Sequence, residues 1–465
     1  MCVDNNSTNF NKTLNLFDAV AIVAGSMIGS GVFIVSADIL RQVKSSWLLL
    51  LVWIIAGLMT ILGALCYGEY AASIPEAGGQ YIYLKKVWGK LVGFLYGWTL
   101  FLVIQTGTIA AVSVAFAKFL GVLLPGVSAS NILIRWHGFG ISTEQLAAIC
   151  LIALLAFINS RGVKAGALVQ NLFTSTKVIA LTALILAGFL LGINFHIIHL
   201  NFSHAFITAT TISPFTAVSV ALVGALFSLD SWNNVTFVAA EIKKPEKNLP
   251  KALILGTGMV ICLYLLLNLA YLFVLSIPQI QYAHDDIVGA AFMSAILGEM
   301  GKLVISVIIL ISAIGCVNGI ILAGSRVFYA MANDGLFFKK LGILDPKTNV
   351  PLNALIIECI WASMLVMSGS YMQLLEYVIF AALLFYILTV SGLFIFRKKF
   401  PDIPRPYKAI GYPYSPIIYC ILAFIVTLNL LIYKPAFSWI GLCLVLTGIP
   451  VYFVWNKIRQ LNKVS

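Results

Sequence analysis

The chain has 465 residues, 61% of them hydrophobic and only 10% charged, with a formal net charge of +12. A soluble domain carries roughly 25% charged residues, and a nucleic-acid binder needs a soluble basic face. Neither class fits, and lipid is the solvent this composition suits.

In chain order, twelve apolar blocks read as crossings of about 30 Å of hydrocarbon at about 1.5 Å per residue, the fourth of them short. They run over 16–40, 47–73, 91–122, 145–159, 167–192, 214–240, 253–277, 301–331, 351–369, 373–396, 414–433 and 437–456. Lipid cannot satisfy open backbone groups, so each block is expected to be a helix and the fold an all-α membrane protein with 12 transmembrane helices. No alternating-strand pattern argues for a barrel. The first block follows a short Asn-rich segment with the lone cation Lys12 and no small-residue cleavage site, and reads as a retained helix.

Alternating the spans from a cytoplasmic N-terminus places 21 of the 29 Lys and Arg residues in inner segments. Five (Arg41, Lys44, Arg135, Lys302 and Lys434) fall outside, and Lys118, Lys177 and Arg326 fall within spans. By the positive-inside rule both termini are expected in the cytoplasm, in a multi-pass protein of the cell membrane, of bacterial inner-membrane type. The net charge is therefore a topology signal.

Two blocks are interrupted. Residues 25–31 read Gly-Ser-Met-Ile-Gly-Ser-Gly in the first span, although each interior Gly costs a helix about 1 kcal/mol relative to Ala. In the sixth, Gly224 to Asn234 carries Ser228, Asp230, Ser231, Asn233 and Asn234 in mid-membrane register. Gly and Ser also serve close helix packing, but the two breaks lie five helices apart. An odd number of helices per half makes two halves of opposite orientation, a 5+5 inverted repeat of the bacterial leucine transporter-like fold with discontinuous helices one and six. The expected organisation is a tail at 1–15, a first repeat at 16–192, an external loop at 193–213 and a second repeat at 214–396. A cytoplasmic connector at 397–413, two further helices at 414–456 and a tail at 457–465 complete it.

Chemistry on side chains is sparse. Cys2 lies in the tail and the other seven cysteines lie within spans, so no disulfide framework is expected. All five histidines (137, 196, 199, 204 and 284) fall in outer loops, which removes the usual metal ligands from the bilayer; neither metal nor cofactor is expected. There is no H-E-x-x-H or G-x-S-x-G, and GSMIGSG follows no strand, so an enzyme is not expected. A channel or sensor on the same fold is a remaining alternative.

Four motifs carry a family resemblance over nearly the whole chain. GSMIGSG resembles the G-[ST]-x-I-G-S-G segment, and Pro75–Tyr83 the P-x-A-G-G-x-Y-x-Y loop, of the amino acid–polyamine–organocation (APC) superfamily in its L-type amino acid transporter branch. Glu241–Pro250 resembles that branch's E-x-x-x-P-x-[RK]-N-[LI]-P loop, and Cys316–Asn318–Gly319 through Ser325–Arg326 its V-N-G…S-R stretch. The resemblance implies a secondary active transporter that moves amino acids by alternating access.

An unwound helix leaves partial charges at its half-helix ends, and an amino acid zwitterion presents the complementary pair. The N–H groups of Gly29, Ser30 and Gly31 are expected to hold the substrate carboxylate, as a helix N-terminus holds an anion. The carbonyls of Met27, Phe227 and Asp230 are expected to accept from the ammonium. The resemblance further implies Phe227 as an aromatic lid, with Trp232 a weaker gate candidate; each would otherwise be a packing residue. Lys177 lies about 15 Å into the fifth span at about 1.5 Å per residue. Snorkelling from that depth is strained, and intramembrane charges default to function. The resemblance implies that its ammonium replaces a sodium ion between the first break and helix eight, near Ser312 and Asn318, making transport sodium-independent.

Asp230 departs from the animal L-type pattern, which has Gly there. An ionised Asp230 favours a cationic side chain, a protonated one suits coupling, and either could cap the broken helix. A proton-coupled or exchanging permease for cationic amino acids or amines is thus the alternative. Residues 379–383 are expected to line the side-chain end of the pocket, with Ala381 and Ala382 leaving room. Glu69, Glu358, Glu376 and Lys118 read as interfacial or packing groups. The 123–144 loop has no Cys, so no disulfide-linked heavy chain like that of the animal heteromeric members is expected; a monomer and a homodimer both stay open.

Overall fold

The computed structural model describes residues 10–136, 139–203, 213–368 and 371–464. His137 and His204 fall outside them, as does Cys2.

Helix α1 (Leu16–Met27) starts on a capping box: Asn15 Oδ1 accepts from the Asp18 amide at 3.1 Å, and the Asp18 carboxylate accepts from the Asn15 amide at 2.8 Å. It stops at Met27. A single 3₁₀ turn (Gly31–Phe33) leads to α2 (Val35–Val43). Then come α3 (Ser46–Ser73), α4 (Gln80–Trp88) and α5 (Lys90–Thr99), which passes through a π turn at Leu100–Ile104 into α6 (Gln105–Leu123). A hairpin that no sequence pattern had suggested, β1 (Ile132–Trp136) with β2 (Phe139–Ser142), precedes α7 (Thr143–Ser160) and α8 (Val163–Leu191).

After α9 (Phe195–Phe202), α10 (Pro214–Ser228) ends at the second interruption, which gives way to α11 (Asn234–Phe237). Helix α12 (Pro245–Val274) begins earlier than the expected span because Pro245 occupies its first position, where a missing N–H costs nothing. Then follow α13 (Ile277–Gln281), α14 (Val288–Leu297), α15 (Glu299–Asn333), α16 (Leu352–Ser368), α17 (Tyr371–Lys399), α18 (Tyr414–Tyr433) and α19 (Pro435–Val464). Among the described residues nine helices are long and apolar enough to cross a membrane, with four shorter apolar ones besides. The fold is that of a multi-pass helical membrane protein.

The broken helices lie at the centre. Helix α1 packs against α8, α11, α12 and α15, while α2 packs against α10. The first half of one broken helix thus meets the second half of the other, and the two run antiparallel. Three ionic contacts close the bundle around them. Arg41 donates to both Asp286 carboxylate oxygens at 2.5 and 3.1 Å. At the other end, the guanidinium of Arg326 donates to Glu241 at 2.7 and 3.4 Å in full burial, and Lys85 pairs with Asp334 at 2.5 Å.

Candidate functional site

At the first break, carbonyls and amides are treated differently. Lys177 is fully buried on α8, and its Nζ donates to Gly25 O at 2.5 Å, Ile28 O at 2.7 Å and Ser312 O at 3.4 Å. Cys316 Sγ donates to Ser26 O at 3.0 Å, and the Tyr264 hydroxyl to Met27 O at 3.2 Å. Ser312 Oγ lies 3.1 Å from both Ile28 O and Gly29 O. Every carbonyl from Gly25 to Gly29 therefore meets a side-chain donor, which satisfies the negative end of α1. The amides of Gly29, Ser30 and Gly31 have no hydrogen-bond partner among the described residues. The hydroxyls of Ser26 and Ser30 are also buried without one.

These groups border one small cavity with Met27, Thr108, Val112, Phe227, Ser228, Asp230, Ser231 and Cys316. Gly31 is needed where the two breaks touch: a Cβ there would overlap Ser228 Oγ and come within 3.3 Å of Ser228 Cα. A Cβ on Gly29 would meet only the Cys316 side chain, with Sγ at 3.3 Å and Cβ at 3.8 Å.

At the second break α10 ends at Ser228, Ser231 takes φ +66°, and α11 resumes at Asn234. Phe227 O accepts from the Asp230 amide at 3.1 Å. Asp230 Oδ1 accepts from the Tyr386 hydroxyl at 2.6 Å, and Asn233 Nδ2 donates to Gln80 Oε1 at 2.8 Å. Gln80 belongs to the Pro75–Tyr83 loop, whose Gly78 amide donates to Phe237 O at 3.0 Å. That motif is thus a plug against the second break. Asp230 borders two further cavities, one with Gln80, Tyr96, Gln105 and Asn234, the other with Met59, Thr60, Ile379, Leu383 and Tyr419; Ala382 and Tyr386 reach both.

Some expected residues stand elsewhere. Asn318 does not reach the Lys177 ammonium: its amide donates to Gly166 O at 3.1 Å and Gln170 Oε1 at 2.8 Å, and it accepts from Asn159 at 2.9 Å. Six residues along α15 from Ser312, it has rotated onto a different polar network. Trp232 packs edge-on against Tyr67, with ring centroids 4.7 Å apart, and lines the cavity of Ile379 and Tyr419, not the one at the first break. Ala382 lines cavities, whereas Ala381 lines none of the three. Sequence reasoning missed Tyr264 and Tyr386. Tyr386 continues the 379–382/383 face by one helical turn, a signal that was available.

Two broken helices that meet beside polar cavities, within a bundle of helices long and apolar enough to cross a membrane, are an arrangement that membrane carriers use. A family model described as "Amino acid permease" matches residues 14–454. The chain is 34% identical to the human large neutral amino acids transporter small subunit 2 over 445 residues, 95% of this chain and 80% of the relative. It is 30% identical to the mouse Asc-type amino acid transporter 1, covering 95% and 81%, and 28% identical to the mouse b(0,+)-type amino acid transporter 1, covering 99% and 91%. The chain belongs to the amino acid permease family of the APC superfamily: it is an amino acid transporter and not an enzyme.

Proposed function

We propose that the protein is a sodium-independent carrier that binds the amino acid zwitterion on the unwound backbone of its first and sixth spans and moves it by alternating access. One observation carries the reading: at the first break the protein satisfies the carbonyls itself and leaves three adjacent amides unbonded beside a cavity. Such an amide cluster favours an anion, and the α-carboxylate is the anion every amino acid has. The Lys177 ammonium sits among three carbonyls, a cation position already filled by the chain, which is why no sodium is needed there. With Met27 O accepting from Tyr264 and Phe227 O from the amides of Leu229 and Asp230, the substrate ammonium is shared between these carbonyls and the Asp230 carboxylate, which carries most of the attraction.

The reading includes twelve crossings, two inverted five-helix repeats at 16–192 and 214–396, and both termini in the cytoplasm of a cell-membrane protein. Phe227, on the cavity at the first break, is the lid. A relative's name describes it as a small subunit. Any partner here is held without a disulfide from the 123–144 loop, which has no cysteine.

A second reading, transport of cationic amino acids or amines by exchange or proton coupling, is favoured by the placement of Asp230 on all three cavities. Uptake of labelled leucine, arginine and an amine into proteoliposomes separates the two. Saturable leucine uptake without sodium supports the first reading. Arginine uptake that disappears in Asp230→Asn supports the second, and no uptake of any of the three contradicts both.

A further inference from the structure

Glu358 has no role in the scheme above. It is the seventh residue of α16, fully buried, and neither carboxyl oxygen has a hydrogen-bond partner. The other buried carboxyl groups among the described residues all have donors: Glu69 from Arg397 and the Ala409 amide, Glu241 from Arg326, Asp230 from Tyr386.

Its surroundings are tight. A Cβ added to Gly324 on α15 would overlap Glu358 Oε1 and stand 2.8 and 2.9 Å from Cγ and Nε2 of Gln105 on α6. Glu358 and Gln105 therefore flank the same glycine, and Gln105 lines the cavity that also holds Asp230 and Tyr386.

Charges facing it are few. Arg326 on α15 acts on it, but that guanidinium is already engaged by Glu241, Leu322 O and Ser325. Lys118 on α6 and Glu144 on α7 lie towards the opposite end of α16, where Gln145 donates to Val366 O. Lys339 and Lys340 precede α16 in the turn at its start. The nearby thiol of Cys359, on α16 itself, supplies no charge to offset a carboxylate. A bare carboxylate in such a place is strongly disfavoured, because burial strips its hydration and supplies no donor in return; the neutral acid costs far less.

We propose that Glu358 is a proton-binding site of the carrier, loaded in the form described here, in which α6, α15 and α16 close around it, and emptied when α15 and α16 part from α6 and let water in. The proton adds to a carboxylate oxygen from water on one side and leaves to water on the other, with no other bond changed. Closure and proton binding are then linked: the closed form is favoured in acid and loses that advantage as pH rises through the value at which Glu358 ionises in it. The proposal depends on the carrier reading for its second half, the coupling to transport.

The first test needs no substrate. Infrared spectra of the purified full chain at neutral pH should show the carbonyl stretch of a protonated glutamic acid, shifted by isotopic labelling of glutamate carboxyl carbons and absent in Glu358→Gln. A neutral-pH spectrum without that band overturns the proposal, and labelled wild-type protein alone decides it should the variant fail to fold. In proteoliposomes, wild-type leucine uptake should rise several-fold as the external buffer is acidified, while Glu358→Gln stays flat. An unchanged acid response in the variant overturns the coupling. Absence of uptake at every pH would instead count against the carrier reading, with the infrared band still deciding Glu358.

Discussion

The two breaks solve the same problem with opposite means. At the first, the loose carbonyls of Gly25 to Gly29 are tied down by side chains from α8, α12 and α15, while the amides of Gly29 to Gly31 stay unbonded. The first break is thus electropositive by subtraction. At the second, the chain's own polar side chains do the work, with Asp230 held by Tyr386 and Asn233 by Gln80. On the proposed reading the negative pole is the Asp230 side chain, not a row of free carbonyls. A zwitterion laid between them meets backbone at one end and side chain at the other, so substitutions should act through sterics at the first break and through charge at the second.

The largest effect should come where the breaks touch. Gly31→Val drives a side chain into Ser228 Oγ and towards Ser228 Cα; binding of any amino acid should vanish in a calorimetric titration, and melting should shift downward as well. Lys177→Ala comes next. It strips a donor from Gly25 O and from Ile28 O but leaves only Gly25 O bare, and an orphaned buried carbonyl costs about 1–3 kcal/mol. Uptake should collapse while surface expression falls less, since Ser312 still donates to Ile28 O; wild-type uptake would break the picture of the first break as a side-chain-tied carbonyl row.

Asp230→Asn should sharpen the contrast more selectively. Losing one charge-assisted hydrogen bond, worth about 1.5–3 kcal/mol, should weaken binding of a cationic amino acid by roughly 10–100-fold and leucine by less, as competition assays would show. The smallest change belongs to Ser312→Ala. Lys177 still serves Ile28 O, so only Gly29 O is left bare, and the melting temperature should fall by the equivalent of about 1 kcal/mol.

Much of this was legible in the chain because membrane helices announce themselves by length and their breaks by composition. Gly29 and Gly31 in one apolar block, and Asp230 with Asn233 in another, mark places where a helix could not comfortably continue. The observed gaps, Ile28–Ser30 and Leu229–Asn233, fall inside the expected stretches. Tyr264 and Cys316 as carbonyl donors were not legible, because they arrive from helices far away in sequence and nothing local marks a tyrosine that points at a broken turn. Asn318 shows the converse limit: its spacing from Ser312 suggested a shared site, yet the rotation of α15 carries it to Asn159 and Gln170 instead. Glu358 read as an interfacial or packing group, and the structure gives it the buried packing position. Counting residues from a span end suggests an interfacial group, whereas burial by α6 and α15 depends on packing.

The most direct test is a structure of the protein with a bound amino acid. A carboxylate within about 3 Å of the Gly29, Ser30 and Gly31 amides, its ammonium turned towards the second break, is the predicted result. A carboxylate seated against side chains elsewhere, with those three amides still unbonded, would contradict the account.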